Sequence, residues 1–281
     1  MQRHEPTPRS EGPVGSPAVP AIVPTLAIRL LGRIEVSVGG DEVRLAARSA
    51  QALIALLALR PRIRTREAVA TEIWPDGDGP GSSASLRQAL WLVRSSFAAA
   101  GTPIEDYLVI DAELIGLRPY APVELDIGRF ERAISTRGPA LEEAIAIYGG
   151  DLAECLALEC LAVERERLSD AYEDALADVA EQRLRGGDMA GARESADLLL
   201  ARDPLREEAH AVLLRIYGRI GSRAQVVRQY RRLAALLTDE LGVEPLPETD
   251  AAYRHALAET VARSRSRVAG LVRLVSVVVH G

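Results

Sequence analysis

Two glycine-containing turns, 34 residues apart, constrain the fold of this chain more than any other feature of its sequence. The turns are Gly187-Asp188 and Gly221-Ser222, and each lies between two stretches with the apolar spacing of an amphipathic helix. Two antiparallel helices and a tight turn every 34 residues are typical of tetratricopeptide repeats. Asp203-Pro204 separates the units, and Gly242 ends the last long helix. Ordinary helical hairpins are the alternative, but the matching turn residues favour true repeats.

The helical pattern extends over the whole C-terminal part of the chain. From about residue 122 onward we expect helix almost everywhere, and a helix pair at 126–135 and 139–148 is a candidate degenerate repeat. Aromatic residues are only 4% of the chain, whereas alanine and leucine are abundant, which favours helices over sheets. The C-terminal part is therefore predicted to be an all-α, tetratricopeptide-like domain.

The N-terminal part has a different pattern. Apolar residues alternate along 26–45, with a tight turn at Gly39-Gly40-Asp41, and this predicts a small antiparallel sheet. Helices are predicted at 47–60, at 65–74 with Thr65 as the cap, and at 83–97 with Ser82 or Ser83 as the cap and Ser85-Gln88 at capping-box spacing. A hairpin of 107–110 and 113–117 follows, around Asp111-Ala112. Strands, three helices and a hairpin indicate a winged helix-turn-helix of the α+β class.

These patterns divide the 281 residues into two domains with flanking segments, and the fold class is mainly α. Domains of about 100–200 residues are the usual size, so two are expected. The N-terminal 24 residues hold six prolines with Gly and Ser, which predicts a disordered leader. The predicted parts are the leader 1–24, the winged-helix domain 25–120, the helical domain 121–259 and a basic and apolar tail 260–281.

Several classes of function are disfavoured by residues that the sequence lacks. The first residues have no apolar core for a secretion signal, and no apolar run reaches the roughly 18 residues that a membrane span needs, so we expect a cytoplasmic protein without a membrane partner. The chain has no lysine and hence no Walker A loop, and its four histidines show no metal-binding spacing. We therefore expect no enzyme activity, no catalytic residues, no metal and no cofactor.

The third predicted helix carries the candidate binding residues. At helical spacing its apolar stripe comprises Leu86, Ala89, Leu90, Val93 and Phe97. The opposite face has arginine, glutamine, serine and a tryptophan but no acid, which suits a groove lined by phosphates and base edges. An ordinary surface helix is the alternative. The candidate DNA-binding residues are Ser83, Ser85, Arg87, Gln88, Trp91, Arg94 and Ser95, with Arg62 and Arg64 ahead of the second helix.

The charge is distributed unevenly between the two domains. Residues 25–120 hold 11 arginines and 11 acidic residues, whereas residues 121–281 hold 21 arginines and 27 acidic residues. Arg60, Arg62, Arg64 and Arg66 form a cluster that contacts phosphates or is simply solvated; the pattern does not decide between the two. Asp111 lies at the predicted wing tip and disfavours contact between the wing and DNA.

In the order of these two domains and in several sequence segments, the chain resembles the streptomycete antibiotic regulatory protein (SARP) family of transcriptional activators. Residues 26–118 are similar to an OmpR-type winged helix through the segments LAIRLLGRIEVSVGGDEVRL, ALIALLAL, TREAVATEIWPD and SLRQALWLVRSSF. Residues 122–258 are similar to the bacterial transcriptional activator domain through VELDIGRFERAI, AIYGGDL, ERERL, ARDPLREEAH, RQYRRLAALLTDELGVEP and PETDAAYRHAL.

The resemblance implies a DNA-binding protein that regulates transcription by binding double-stranded promoter DNA and recruiting RNA polymerase. It places the recognition helix at 83–97, with Arg87 and Arg94 at its base- and phosphate-facing positions. Many members have more basic residues at the end of this helix, where this chain has Leu92, Ser95 and Ser96. DNA affinity is then low or depends on a homodimer or on polymerase. The alternative function is a protein-interaction adaptor whose repeats bind a partner and whose winged helix has lost DNA binding.

Overall fold

The computed structural model describes residues 23–77 and 79–279, with the backbone alone for residues 266–279. Most of the predicted leader therefore lies outside the described residues. The N-terminal half contains β1 (Leu26–Arg29), β2 (Glu35–Val38), β3 (Asp41–Glu42), α1 (Arg48–Leu59), β4 (Arg64–Thr65), α2 (Arg66–Ile73), α3 (Gly79–Ala99), β5 (Leu108–Ile110) and β6 (Leu114–Leu117). The C-terminal half contains β7 (Val123–Leu125), α4 (Asp126–Thr136), α5 (Ala140–Ile147), α6 (Ala162–Arg185), α7 (Met189–Arg202), α8 (Glu207–Ile220), α9 (Arg223–Leu241) and α10 (Pro247–Val279). This mainly helical architecture confirms the predicted fold class.

The first sheet joins the two halves of the chain. Its strand order is β3-β2-β1-β7, and the antiparallel pairing of β1 with β2 and of β2 with β3 confirms the predicted N-terminal sheet. The expectation of helix from residue 122 onward is wrong at β7, which pairs with β1 in parallel. Three strand residues are too few to show a period, so the pattern could not reveal this strand. A domain boundary at residue 120 therefore cuts through one continuous sheet.

The wing is a separate three-stranded sheet of order β4-β6-β5. Its β5-β6 hairpin confirms the predicted one, and at the turn the Asp111 carboxylate accepts hydrogen bonds from the backbone N–H groups of Glu113 and Leu114 at 2.8 and 2.7 Å. The two-residue strand β4 adds to β6 through the pairs Arg64–Ile115 and Thr65–Leu114. The residues just before α2 thus belong to the wing and not to a free loop.

Helix boundaries in the N-terminal half agree with the sequence except at α3. The Thr65 hydroxyl accepts a hydrogen bond from the N–H of Ala68 at 3.3 Å, which confirms the predicted cap of α2. Helix α3 begins at Gly79, so Ser82 and Ser83 do not cap it. The Ser85 hydroxyl donates to the carbonyl of Gly81 at 3.1 Å, so the predicted capping box is wrong as well. The first turn consists of glycine and other small residues, which lack the apolar spacing of an amphipathic helix, so the sequence pattern does not indicate it.

The helical repeats form as predicted. Gly187 and Gly221 have φ angles of +88° and +81°, a left-handed conformation that glycine adopts without strain, and they connect α6 to α7 and α8 to α9. The Asp188 carboxylate caps α7 by accepting from the N–H of Gly191 at 2.9 Å. Helix α10 packs on α8 and continues unbroken to Val279, so the predicted tail from residue 260 onward is a continuation of this helix as far as the structure describes it.

The halves share one hydrophobic core and are joined by backbone hydrogen bonds as well. The segment before α6 runs beside the end of β1, where Ala153 donates to Leu30 at 2.7 Å and Gly32 donates to Asp151 at 3.0 Å. Buried apolar side chains from the first sheet, α1, α3, α4, α6 and α8 form one continuous cluster. The winged helix and the helical half are therefore joined through the first sheet and a continuous hydrophobic core.

Asp126 is the polar centre of this junction. Its buried carboxylate accepts hydrogen bonds from the backbone N–H groups of Leu30, Leu31 and Ile127 at 2.8, 2.9 and 2.8 Å. Burial raises the pKa of this carboxyl group, and the three hydrogen bonds oppose that rise. One side chain of the helical half thus satisfies backbone donors at the end of β1 that would otherwise be buried without a partner.

Candidate nucleic-acid interface

Helix α3 is held in place by its inner face. The five residues of the predicted apolar stripe are all buried, and the helix packs against α1 and α2; they are Leu86, Ala89, Leu90, Val93 and Phe97. The phenyl ring of Phe97 lies against Tyr107 at the start of the wing, with ring centroids 6.4 Å apart. Because the inner face is fixed in this way, the direction of the outer face is fixed too.

The outer face of α3 presents the predicted residues to solvent. Arg87, Gln88, Arg94 and Ser95 are exposed, and Trp91 between them is 65% exposed. Trp91 therefore does not pack beneath the wing or the repeats. Arg87 makes no hydrogen bond or ion pair with any residue that the structure describes. An exposed indole beside an unpaired guanidinium is a surface suited to a partner.

Arg94 differs from Arg87 because an acidic residue reaches it. Its Nε donates to the Glu105 carboxylate at 2.9 Å, and the two side chains are 47% and 51% exposed. Glu105 lies on the short 3-10 helix Ile104–Asp106, which follows α3. The expectation of a surface free of carboxylates is therefore wrong at this end, because helical periodicity describes the helix itself and not the segment that folds back beside it.

The two serines at the start of the predicted helix are less accessible than expected. Ser83 and Ser85 are half-buried, one turn or more inside α3, and the Ser85 hydroxyl is already bonded to a backbone carbonyl. The accessible part of the candidate surface is thus centred on Arg87, Gln88 and Trp91.

The arginine cluster ahead of α2 is largely paired within the protein. Glu72 lies between two of its members, 3.0 Å from Arg60 and 2.6 Å from Arg64, and the Arg64 side chain is only 27% exposed. Arg66 donates to the backbone carbonyl of Asp111 at 3.1 Å. Only Arg62 is both exposed and without a partner among the described residues. Of the two candidate DNA-binding residues in this cluster, Arg62 is free to contact phosphate, whereas Arg64 is ion-paired with Glu72.

The wing tip is acidic, as the sequence indicates. The two backbone N–H groups that donate to Asp111 lower the pKa of its carboxyl group, so this residue stays charged at neutral pH. Glu113 beside it is exposed. A fixed negative charge at this tip repels phosphate and restricts the candidate interface to α3 and Arg62.

Comparison with known proteins adds a family to this geometry. Residues 120–257 match the sequence profile of the bacterial transcriptional activator domain. The matched residues make up just under half of the chain. This match bears out the resemblance of residues 122–258 to that domain, which the sequence motifs indicate. No curated protein sequence matches the chain.

Among solved structures, the chain is similar to Mycobacterium tuberculosis EmbR in complex with a low-affinity phosphopeptide. The TM-score is 0.66 at 22% sequence identity, and the match covers 90% of this chain and 71% of that one. At this identity the likeness shows the fold alone. It extends well beyond the activator domain, so the winged helix and the repeats share one arrangement with that structure.

Within the part of the chain that the structure describes, no helix is long and apolar enough to cross a membrane, and no group of acidic, histidine and cysteine side chains has the arrangement of a metal site.

Proposed function

We propose that the protein activates transcription by binding promoter DNA with α3 in the major groove and recruiting RNA polymerase through its activator domain. The observation that carries this proposal is the exposed set Arg87, Gln88 and Trp91 on a helix whose inner face is locked into the core. In helix-turn-helix proteins the second helix of the motif enters the major groove. The order α2, α3 and wing is the order that such a motif requires.

Each exposed residue type on α3 has a partner in the major groove. The guanidinium of Arg87 has the geometry to bond guanine O6 and N7, and the amide of Gln88 suits adenine N6 and N7. The indole of Trp91 offers an apolar surface to a thymine methyl group. This arrangement supports base readout more than backbone attraction, because the basic residues nearby are few and several are paired with acids.

The shared sheet and core between the halves support the recruitment step. Asp126, the β1–β7 pairing and the shared core hold the activator domain at one orientation relative to α3. A DNA-bound winged helix then presents the activator domain at one fixed direction from the promoter. Promoter DNA lies in the bacterial cytoplasm, and there the proposal places the protein. A homodimer on two half-sites is part of the proposal.

A salt titration of binding to labelled genomic fragments tests this function. We expect a dissociation constant that rises with salt, by a power of about 0.9 for each guanidinium that contacts phosphate, and loss of binding when Arg87→Ala is combined with Arg94→Ala. The matched control is Arg228→Ala with Arg231→Ala, which removes the same charge from exposed positions on α9. A weak, flat salt response that the α3 pair does not change would refute the proposal. That result would favour the adaptor function. The Arg94–Glu105 ion pair and the acidic wing tip are the observations that support this alternative.

A further inference from the structure

The activator domain contains an open groove that the proposed DNA binding does not use. The groove has a volume of about 550 Å³ and lies between α6, α8 and the start of α10, which form one face of the repeats. Small and apolar residues form its floor: Ala177, Ala211, Val212, Leu246 and Ala252. Stacked helical repeats characteristically bind extended partners in grooves between their helices. The Leu246 side chain is 54% exposed, so part of this apolar floor faces solvent.

Carboxylates outnumber guanidiniums along the walls of the groove. The acidic residues are Asp178, Glu181, Glu207, Glu208 and Glu248, against the single basic residue Arg215. Arg215 is fully engaged by Glu181, with N–O distances of 2.9 and 2.6 Å between the two side chains. The remaining four carboxylates give the groove a net negative charge.

These four carboxylates are only weakly compensated by neighbours outside the groove. Arg137 lies 3.6 Å from Asp178, and Arg206 lies 3.6 Å from Glu208. Glu207 accepts the backbone N–H of Leu246 at 2.9 Å. Glu248 has no ion pair or side-chain hydrogen bond with any residue that the structure describes. Glu208 and Glu248 are therefore accessible to an incoming cation from two sides of the groove.

Thr249 places one polar group inside the groove. The residue is only 3% exposed and lines the groove, yet its hydroxyl forms no hydrogen bond within the described part of the chain. The hydroxyl is not one of the described side-chain atoms that are both fully buried and unpaired, so it is open to the solvent in the groove. A hydroxyl both donates and accepts, so it matches the backbone amide of a peptide laid along the floor.

From the charge, the apolar floor and the unpaired hydroxyl, we propose that this groove binds a peptide segment of a partner protein in which arginine or lysine residues flank small apolar side chains. The cations contact Glu208 and Glu248, the apolar side chains lie on Ala211 and Val212, and the Thr249 hydroxyl bonds to the peptide backbone. A polyanion such as nucleic acid would be repelled by the same walls. This inference concerns the activator domain and does not depend on DNA binding by α3.

The test is fluorescence anisotropy of the full chain, without DNA, with a labelled peptide that alternates arginine with alanine and leucine. The same peptide with glutamate in place of arginine is the ligand control. We expect saturable binding of the arginine peptide and none of the glutamate peptide. The double variant Glu208→Gln with Glu248→Gln should weaken binding about tenfold, because it removes two ion pairs. Ala211→Phe, which fills the floor, should weaken it as well.

The matched control variant is Asp239→Asn with Glu240→Gln, an equal change of charge at exposed positions of α9 outside the groove. Its affinity should equal that of the native chain. Equal weakening by both double variants would mean nonspecific attraction to an acidic surface and would overturn the proposal, as would the absence of peptide binding. Sedimentation of the native chain and the groove variant adds a second readout. A dimer that the groove variant dissociates would mean that another copy of the chain occupies the groove, and this too would overturn the proposal.

Discussion

Neutralising Glu105 should strengthen DNA binding, which is an unusual direction for a surface substitution. Glu105 accepts a hydrogen bond from Arg94 at 2.9 Å at the end of α3, and it brings a carboxylate close to the phosphates of the proposed complex. Glu105→Gln removes the charge and keeps the shape. The backbone carbonyl of Glu105, which accepts from Arg118 at 3.1 Å, is unchanged, so the local fold should persist.

The size of the effect follows from two contributions. An exposed ion pair such as Arg94–Glu105 is worth about 0.5 kcal/mol, which DNA no longer has to overcome in the variant. Repulsion between a carboxylate and a phosphate about 8 Å apart in water costs about another 0.5 kcal/mol. The sum of about 1 kcal/mol predicts a roughly fivefold gain in affinity. Arg94 also becomes free to contact phosphate, so the salt slope should steepen by about 0.9.

The assay is a salt titration of binding to one selected duplex by the native chain, Glu105→Gln and Glu240→Gln. Glu240 is exposed on α9, so the second variant changes the net charge equally without touching the candidate interface. Unchanged affinity and an unchanged slope in Glu105→Gln would mean that Arg94 does not face DNA. An equal gain in Glu240→Gln would assign the effect to net charge alone.

Two further predictions concern the junction and the repeats. Asp126→Ala should lower the free energy of unfolding by about 3 kcal/mol, because three buried backbone N–H groups lose their acceptor, and Asp126→Asn should cost less because its amide oxygen still accepts from two of them. Urea denaturation followed by circular dichroism measures both variants. A loss below about 1 kcal/mol for the alanine variant would contradict the role of this carboxylate. His210 bonds to the carbonyl of Pro204 at 3.0 Å and to Gln229 at 2.8 Å, and burial lowers its pKa. As pH falls, His210 is therefore protonated in the unfolded chain before it is protonated in the folded one. The stability that neutral His210 contributes is present above the ordinary histidine pKa of about 6.5 and declines below it. His210→Gln should remove this contribution to the pH dependence of the free energy of unfolding, measured from pH 7 to about 5. An unchanged pH dependence in His210→Gln would contradict the role of this histidine.

The parts of the fold that the sequence predicts are those fixed by local periodicity and turn chemistry. The stripe from Leu86 to Phe97 shows the buried face of α3 because a helix brings every third or fourth residue to one side. Gly187 and Gly221 show the repeat turns because a left-handed backbone conformation favours glycine. The cap at Thr65 belongs to the same class of signal.

The features that periodicity misses depend on contacts between different elements of secondary structure. Strand β7 is three residues long and exists because β1 offers it an edge. Glu105 reaches Arg94 only after the chain has turned at the end of α3, and Glu72 reaches Arg64 across the turn before α2. No periodic pattern records such pairs. The sequence therefore predicts which face of α3 is exposed, whereas the charges around that face require the tertiary structure.

Selection of bound duplexes from a random-sequence pool tests the central claim most directly, because it identifies a binding site without a known target promoter. The native chain should enrich a defined sequence containing guanine, and Arg87→Ala should lose the preference for one guanine while keeping the rest of the site. A pool that shows no enrichment with the native chain, or an identical enriched site with Arg87→Ala, would contradict sequence reading by the outer face of α3.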